Sequence, residues 1–392
     1  MHVGDTGALL NGMRQVGDPS ADAIVDELAR TQQIRAVRSI LRNLVDNDQP
    51  VPAELPVSIA QWLETSAEVP AWADRDRLER GCTVVVEHGP QVCVALATAS
   101  LVYCYAGYPG VKALTFSRRL DHDAVRRVGE TAQFVLAVMA PGSLHQRGRG
   151  IRKIQKVRLL HAAIRHLVSA SGRWDSGTDG VPICQEDLAG TLMSFTCVVV
   201  DALRKLGVRV DDREAEDYYY RWRVIGEMIG IAPAAIPADL AHARELTDAI
   251  ARRSHRRSPE GIEMTRALFE LHAASLPVGF AGAAPALTRF LLGDKVTALV
   301  DLPRTRWDTG LCWQAGVGRA LDRVQSARGP VGSLTKMVGA GMLNQRVVEM
   351  AGGRSASFSI PVPAELQRRW AASGIFPSID QELIALARSE SA

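Results

Sequence analysis

The stretch 151-IRKIQKVRLLHAAIRHLVSA-170 decides the reading of the fold. Ile154, Val157, His161, Ile164 and Val168 recur at alternating spacings of three and four, which is the period of one helix face. The segment is expected to be a helix with His161 turned toward the core. Arg158 and Arg165 stand three before and four after His161, close enough to flank its ring. Two cations beside an inward imidazole need anions to offset them, and the propionates of a haem would supply two. A hydrogen-bonded core histidine whose arginines reach out to solvent fits the same spacing, so periodicity leaves both readings open. His166, five positions on, lies about 140° round the helix, so the two histidines do not form the i, i+4 pair of a helical zinc site.

The same period dominates outward in both directions, and strand-type alternation is scarce, so the expected class is all-α. Helices are expected near 20–31, 34–46, 56–66, 73–87, 92–106, 121–140, 151–170, 184–206, 212–230, 236–253, 258–275, 283–294, 310–327 and 363–372. Asp121 and Asp123 are cap-like acids opening one of these, and Pro141-Gly142 closes it, because proline cannot continue the ladder and glycine tolerates left-handed geometry. The run 171-SGRWDSGTDGVP-182 has the composition of a loop.

A chain of 392 residues, 47% hydrophobic and 23% charged, can bury a sizeable core without metals or disulfides. With 46 basic against 43 acidic residues the net charge is +3, too small a field to argue for nucleic acid or an anionic membrane. Cys82, Cys93, Cys104, Cys184, Cys197 and Cys312 show no CxxC, no zinc-type spacing and no haem-attachment CxxCH, and are expected as buried thiols in a reducing compartment. The start, 1-MHVGDTGALLNGMRQVGDPSADA-23, has no basic segment followed by an apolar run, so cytoplasm is the expected location. Val92 to Val111 is uncharged and long enough to span a bilayer, but it holds Thr98, Ser100, three tyrosines, Gly107, Pro109 and Gly110. A buried helix without stable membrane insertion is expected there. The basic run 251-ARRSHRR-257 reads as a solvated helix end, and Tyr218-Tyr219-Tyr220 with Trp222 as packing rather than a nucleic-acid surface.

The helix before the 151–170 segment carries Arg127-Val128-Gly129-Glu130-Thr131 ahead of the apolar run Phe134 to Met139. Arg127 and Thr131 are four apart with Glu130 on a neighbouring edge, so a cation, a hydroxyl and a carboxylate share one side of a greasy helix. The trio suits a polar spot in an apolar pocket. An exposed Arg127–Glu130 pair at i, i+3 suits it as well.

Taken in order, Pro70-Ala71-Trp72-Ala73-Asp74, Arg127-x-x-x-Thr131, Val157-Arg158-x-x-His161-Ala162-x-x-Arg165, Gln185-Glu186-Asp187-Leu188-Ala189-Gly190-Thr191-Leu192 and Tyr220-Arg221-Trp222-Arg223-Val224-Ile225-Gly226 resemble one family. It is the catalytic domain shared by latex clearing proteins, which are rubber oxygenases, and the farnesyl-shortening oxygenase of mycophenolic acid biosynthesis. The resemblance covers about residues 68–230, with an echo from Pro361-Val362-Pro363 to Arg369-Trp370. It implies a globin-like helical core, with additional helices around a pocket for non-covalent haem b. His161 would be the proximal iron ligand, Arg158 and Arg165 would flank the haem, and Arg127 and Thr131 would lie on the distal side. On this reading residues 1–50 are a helical extension, 51–380 one haem-binding oxygenase-like domain and 381–392 a tail.

Arg127 is then expected to stabilise negative charge developing on dioxygen, and Thr131 to donate a hydrogen bond or orient substrate. Two departures separate this chain from the rubber-cleaving members. They look like exported enzymes, and a family lysine of the distal helix is replaced here by Glu130, a poor iron ligand but a possible base. The base glutamate of the family has no counterpart around Tyr108 to Lys112. The expected function is therefore a haem-dependent oxygenase acting with dioxygen on a small hydrophobic molecule, an alkene or isoprenoid. The alternative is a non-catalytic haem or hydrophobic-ligand binding protein of the same fold.

Overall fold

The computed structural model describes residues 3–118, 124–275 and 281–308, together with Pro363, Glu365, Leu366, Arg368 and Arg369. Among these the chain is helical apart from turns and one isolated antiparallel bridge, Gly107 to His255. The helices are α1 (Val3–Arg14), α2 (Pro19–Arg30), α3 (Ile34–Asn43), α4 (Val57–Thr65), α5 (Arg75–Arg80), α6 (Thr83–Ala95), α7 (Leu101–Ala106), α8 (Gly110–Arg118) and α9 (Ala124–Val138). They continue with α10 (Gly150–Ala170), α11 (Ser176–Asp179), α12 (Gln185–Met193), α13 (Val199–Lys205), α14 (Asp212–Met228), α15 (Leu240–Ser254), α16 (Pro259–Ser275) and α17 (Ala283–Leu299). The expected helices 310–327 and most of 363–372, the caps Asp121 and Asp123, and the tail 381–392 lie outside the described residues.

Packing makes α10 the hinge between two apolar clusters. Its Ile151 and Ile154 join the main core with α6, α9, α12 and α14, while Leu159 and Ala162 pack under Ile24, Leu28, Ile59, Trp62 and Leu63 of α2 and α4. Ile59 and Leu63 are fully buried, each worth about 1.5–3 kcal/mol of transfer free energy. Leu10 and Met13 of α1 sit in the main core, so the first fifty residues are built into the same body as the rest.

The expected helices near 73–87 and 92–106 are joined across a kink, and the second contains a π turn. Pro90 lacks an N–H and its ring crowds the preceding turn, so the backbone leaves helical geometry at His88 (φ −128°, ψ 27°). Beyond it, Leu96–Ser100 forms a π-helical turn, and Ser194–Val198 between α12 and α13 forms another that packs against it. In both, a threonine hydroxyl donates back four residues, Thr98 to Val94 O at 2.7 Å and Thr196 to Leu192 O at 2.9 Å. Such bonds compete with the backbone ladder and favour a widened turn. Residues 75–106 are long and apolar enough to cross a membrane, yet Val84, Val85, Val92, Val94 and Val102 are buried against neighbouring helices.

Arg221 of α14 ties several elements together from a fully buried position. It donates to Leu78 O at 2.8 Å, to Val138 O at 2.7 Å, to Ala140 O at 3.1 Å and to Ser143 Oγ at 2.8 Å. The last carbonyls of a helix have no partner within it, and this guanidinium meets those at the end of α9.

His272 of α16 is 2% exposed, and burial pushes its imidazole down to about 4 from an ordinary 6.5. The folded state therefore binds fewer protons here than the unfolded chain between those values, and stability falls as pH drops from 6.5 toward 4. His272→Leu is expected to flatten that part of the stability-versus-pH profile, read from urea midpoints at pH 7, 6, 5 and 4 in parallel with the unmodified chain.

Candidate active site

A cavity of about 330 Å³ opens between α7, α9, α10, α12, α14 and α15. From α10 it takes Val157, Leu160, His161 and Ile164, residues at i, i+3, i+4 and i+7 and therefore one stripe of the helix. From α9, which packs on α10, it takes Val128, Glu130, Thr131 and Phe134. The structure thus brings His161, Glu130 and Thr131 to one cavity. Arg127 lies one turn before Thr131 on α9, and its side chain is outside the described residues.

Arg158 donates to Asp18 Oδ1 at 2.9 Å and Arg165 to Asp22 Oδ1 at 2.8 Å, so the start of α2 supplies an anion to each of the two cations expected beside a haem. Arg165 also donates to Ile183 O. Neither lines the cavity. Both hold α10 against the start of α2, with Arg158 additionally 5.5 Å from the Trp62 ring centre.

Among the described residues no group of three or more His, Cys, Asp or Glu side chains is placed to hold a bare metal ion. A macrocycle brings four equatorial nitrogens of its own and asks the protein for only one or two axial ligands. One imidazole on a wall of valine, leucine and isoleucine meets that demand, and Nδ1 of His161 is shut off from solvent. The donor set fits a haem.

Several lining residues escaped sequence reasoning. His255, read there as part of a basic helix end, stacks edge-on to Tyr103 with ring centres 4.4 Å apart and is held by the Gly107 bridge and the Tyr108 N to Ser254 O bond of 2.9 Å. Burial lowers its imidazole to about 4, so it is neutral near pH 7. Cys104 contacts Ser194 Oγ at 2.9 Å, and burial pushes its thiol up to about 11, which keeps it protonated. Arg14, Glu186 and Asp187 form a charged patch on the wall, with Arg14 Nη1 2.7 Å from Asp187 Oδ1. The motif Gln185 to Leu192 was visible in the sequence without a role. Its partner Arg14 belongs to a helix that periodicity does not reveal.

Residues 88–372 match the family model described as ER-bound oxygenase mpaB/B'/rubber oxygenase, catalytic domain. The chain is 29% identical over 296 residues to the rubber oxygenase of Streptomyces sp. (strain K30), covering 74% of this chain and 71% of that protein. The fold is similar to a solved structure of latex clearing protein in the closed state, with a TM-score of 0.74 and 25% identity, covering 89% of this chain and 95% of the other.

Proposed function

The chain belongs to the family of mpaB-type and rubber oxygenase catalytic domains, and we propose that it is a haem b-dependent oxygenase acting with dioxygen on a small hydrophobic molecule of alkene or isoprenoid type. The observation that carries the reading is the His161 imidazole, set in the aliphatic stripe Val157, Leu160 and Ile164 of α10 and lining one cavity with Thr131 and Glu130. The cavity volume of about 330 Å³ is within the range of small-molecule sites.

When bound, haem supplies the redox centre for dioxygen chemistry. His161 would hold it as proximal ligand, on a helix anchored by the Arg158–Asp18 and Arg165–Asp22 pairs. Thr131 offers a hydroxyl donor and Glu130 a carboxylate to accept a proton from substrate, while Arg127, one turn away, adds positive charge.

The test is oxygen uptake by the haem-loaded full chain across a panel of alkenes and short isoprenoids, with incorporated oxygen read by mass spectrometry. Uptake is expected with at least one of them, and Thr131→Val is expected to lower kcat about 10²-fold with haem content unchanged. A haem-loaded chain that binds the panel but consumes no oxygen would instead be a non-catalytic ligand-binding protein.

A further inference from the structure

The geometry points to a docking surface for an anionic lipid bilayer, formed by α3 and the outer stripe of α10 at the rim of the cavity. It rests on the reading of the cavity as a pocket for an apolar molecule, and names the phase from which that molecule would come. On α10, Lys153, Lys156, Leu160, Ile164 and Leu167 recur at spacings of three and four and so form one stripe. Leu160 and Leu167 are each 51% exposed. Leu160 and Ile164 also line the cavity, which places its rim on this stripe.

Helix α3 continues the surface. Lys156 Nζ donates to Arg42 O at 3.5 Å, and Ile40 and Leu41 pack with Leu159, Ala162 and Ala163, so α3 lies beside this part of α10. Arg35, Arg38 and Arg42 stand at i, i+3 and i+7 of α3, all exposed, and the helix holds no acidic residue. Among the described residues none of these arginines, nor Lys153 or Lys156, has an ion pair. Of the acids flanking α3 in sequence, Asp46 accepts from Arg149 at 2.7 Å, Asp26 meets His166 at 2.7 Å and Glu27 accepts from Ser58 at 2.9 Å. That leaves Asp48 to offset the cations, so a net charge of +3 conceals a strong local field. Burial, with Lys153 and Arg152 close by, pushes the Lys156 ammonium below its ordinary range, as expected where cations crowd together.

The surface therefore offers cations and exposed leucines side by side. A second copy of the chain would bring the same cations, and a nucleic acid would leave the leucines in water. Anionic headgroups over acyl chains meet both demands, with the leucines entering the headgroup boundary and nothing spanning the bilayer. An apolar molecule dissolved in that bilayer then reaches the cavity past Leu160 without crossing water.

The experiment is flotation of the purified full chain with vesicles of phosphatidylcholine alone and of phosphatidylcholine with roughly one-third phosphatidylglycerol, at low salt. Anionic vesicles are expected to bind about 10³-fold more tightly than neutral ones, and the triple variant Arg35→Gln, Arg38→Gln, Arg42→Gln to lower that preference about 100-fold. Leu167→Gln is expected to weaken binding to the anionic vesicles about fivefold and to leave binding to heparin unchanged. Equal binding to both kinds of vesicle by the unmodified chain, or binding to neither, overturns the proposal, and this comparison needs no variant to fold. A preference undiminished in the triple variant overturns the assignment to α3. Binding to anionic vesicles that is unchanged in Leu167→Gln overturns the bilayer as occupant in favour of a polyanion. No readout here involves haem or oxygen, so this proposal and the oxygenase reading fail separately.

Discussion

Arg221→Ala is expected to destabilise the folded chain by about 3–5 kcal/mol, the scale for removing one member of a fully buried charged network. The side chain has no exposure, and its loss removes the charged donor shared by the carbonyls of Leu78, Val138 and Ala140 and by the Ser143 hydroxyl, leaving Val138 O and Ala140 O only their weaker bonds from Ser143. Glu79, 3.7 Å from the guanidinium, loses its nearest buried cation as well. Arg221→Lys is expected to recover little, because an ammonium cannot spread donors over Leu78 and the separate 138–143 segment as the planar fork does. Urea unfolding followed by circular dichroism reads the difference directly. A variant within about 1 kcal/mol of the unmodified chain would show that the carbonyls find other donors.

His161→Ala is expected to abolish stable haem binding and, with it, oxygen uptake, because the cavity wall then consists of aliphatic groups and residues engaged elsewhere. The truncation removes part of a half-buried ring from an exposed-to-cavity stripe, so folding is expected to survive. Added imidazole should enter the space left behind and restore part of the haem spectrum, which a merely structural histidine would not allow. His255→Ala is the matched control. That ring also lines the cavity, but it is stacked on Tyr103 and fixed by the Gly107 bridge, and its loss is expected to leave haem binding in place.

The comparison of these residues shows which information a sequence carries. The helix 151–170 was legible because its apolar spacing repeats over five turns, and the inward stripe of Val157, His161 and Ile164 follows from that period alone. The anions facing Arg158 and Arg165 were not, because Asp18 and Asp22 lie 140 and 143 positions away and no local spacing joins them. His161 draws its weight from the resemblance to oxygenases, while the two aspartates facing its arginines are visible only in the fold. The π turns at 96–100 and 194–198 were hidden because the apolar period runs through them almost unchanged. Helix α8 begins at Gly110 behind Pro109, a pair that reads as a break, and α1 carries glycines at positions 4, 7 and 12 that mask its helical pattern.

Titrating the unmodified full chain with haemin and recording the visible absorption spectrum tests the central claim most directly. The account predicts a Soret band that grows to saturation at one haem per chain and is lost in His161→Ala. A well-folded chain that stays colourless, or a band that survives His161→Ala unchanged, would contradict it.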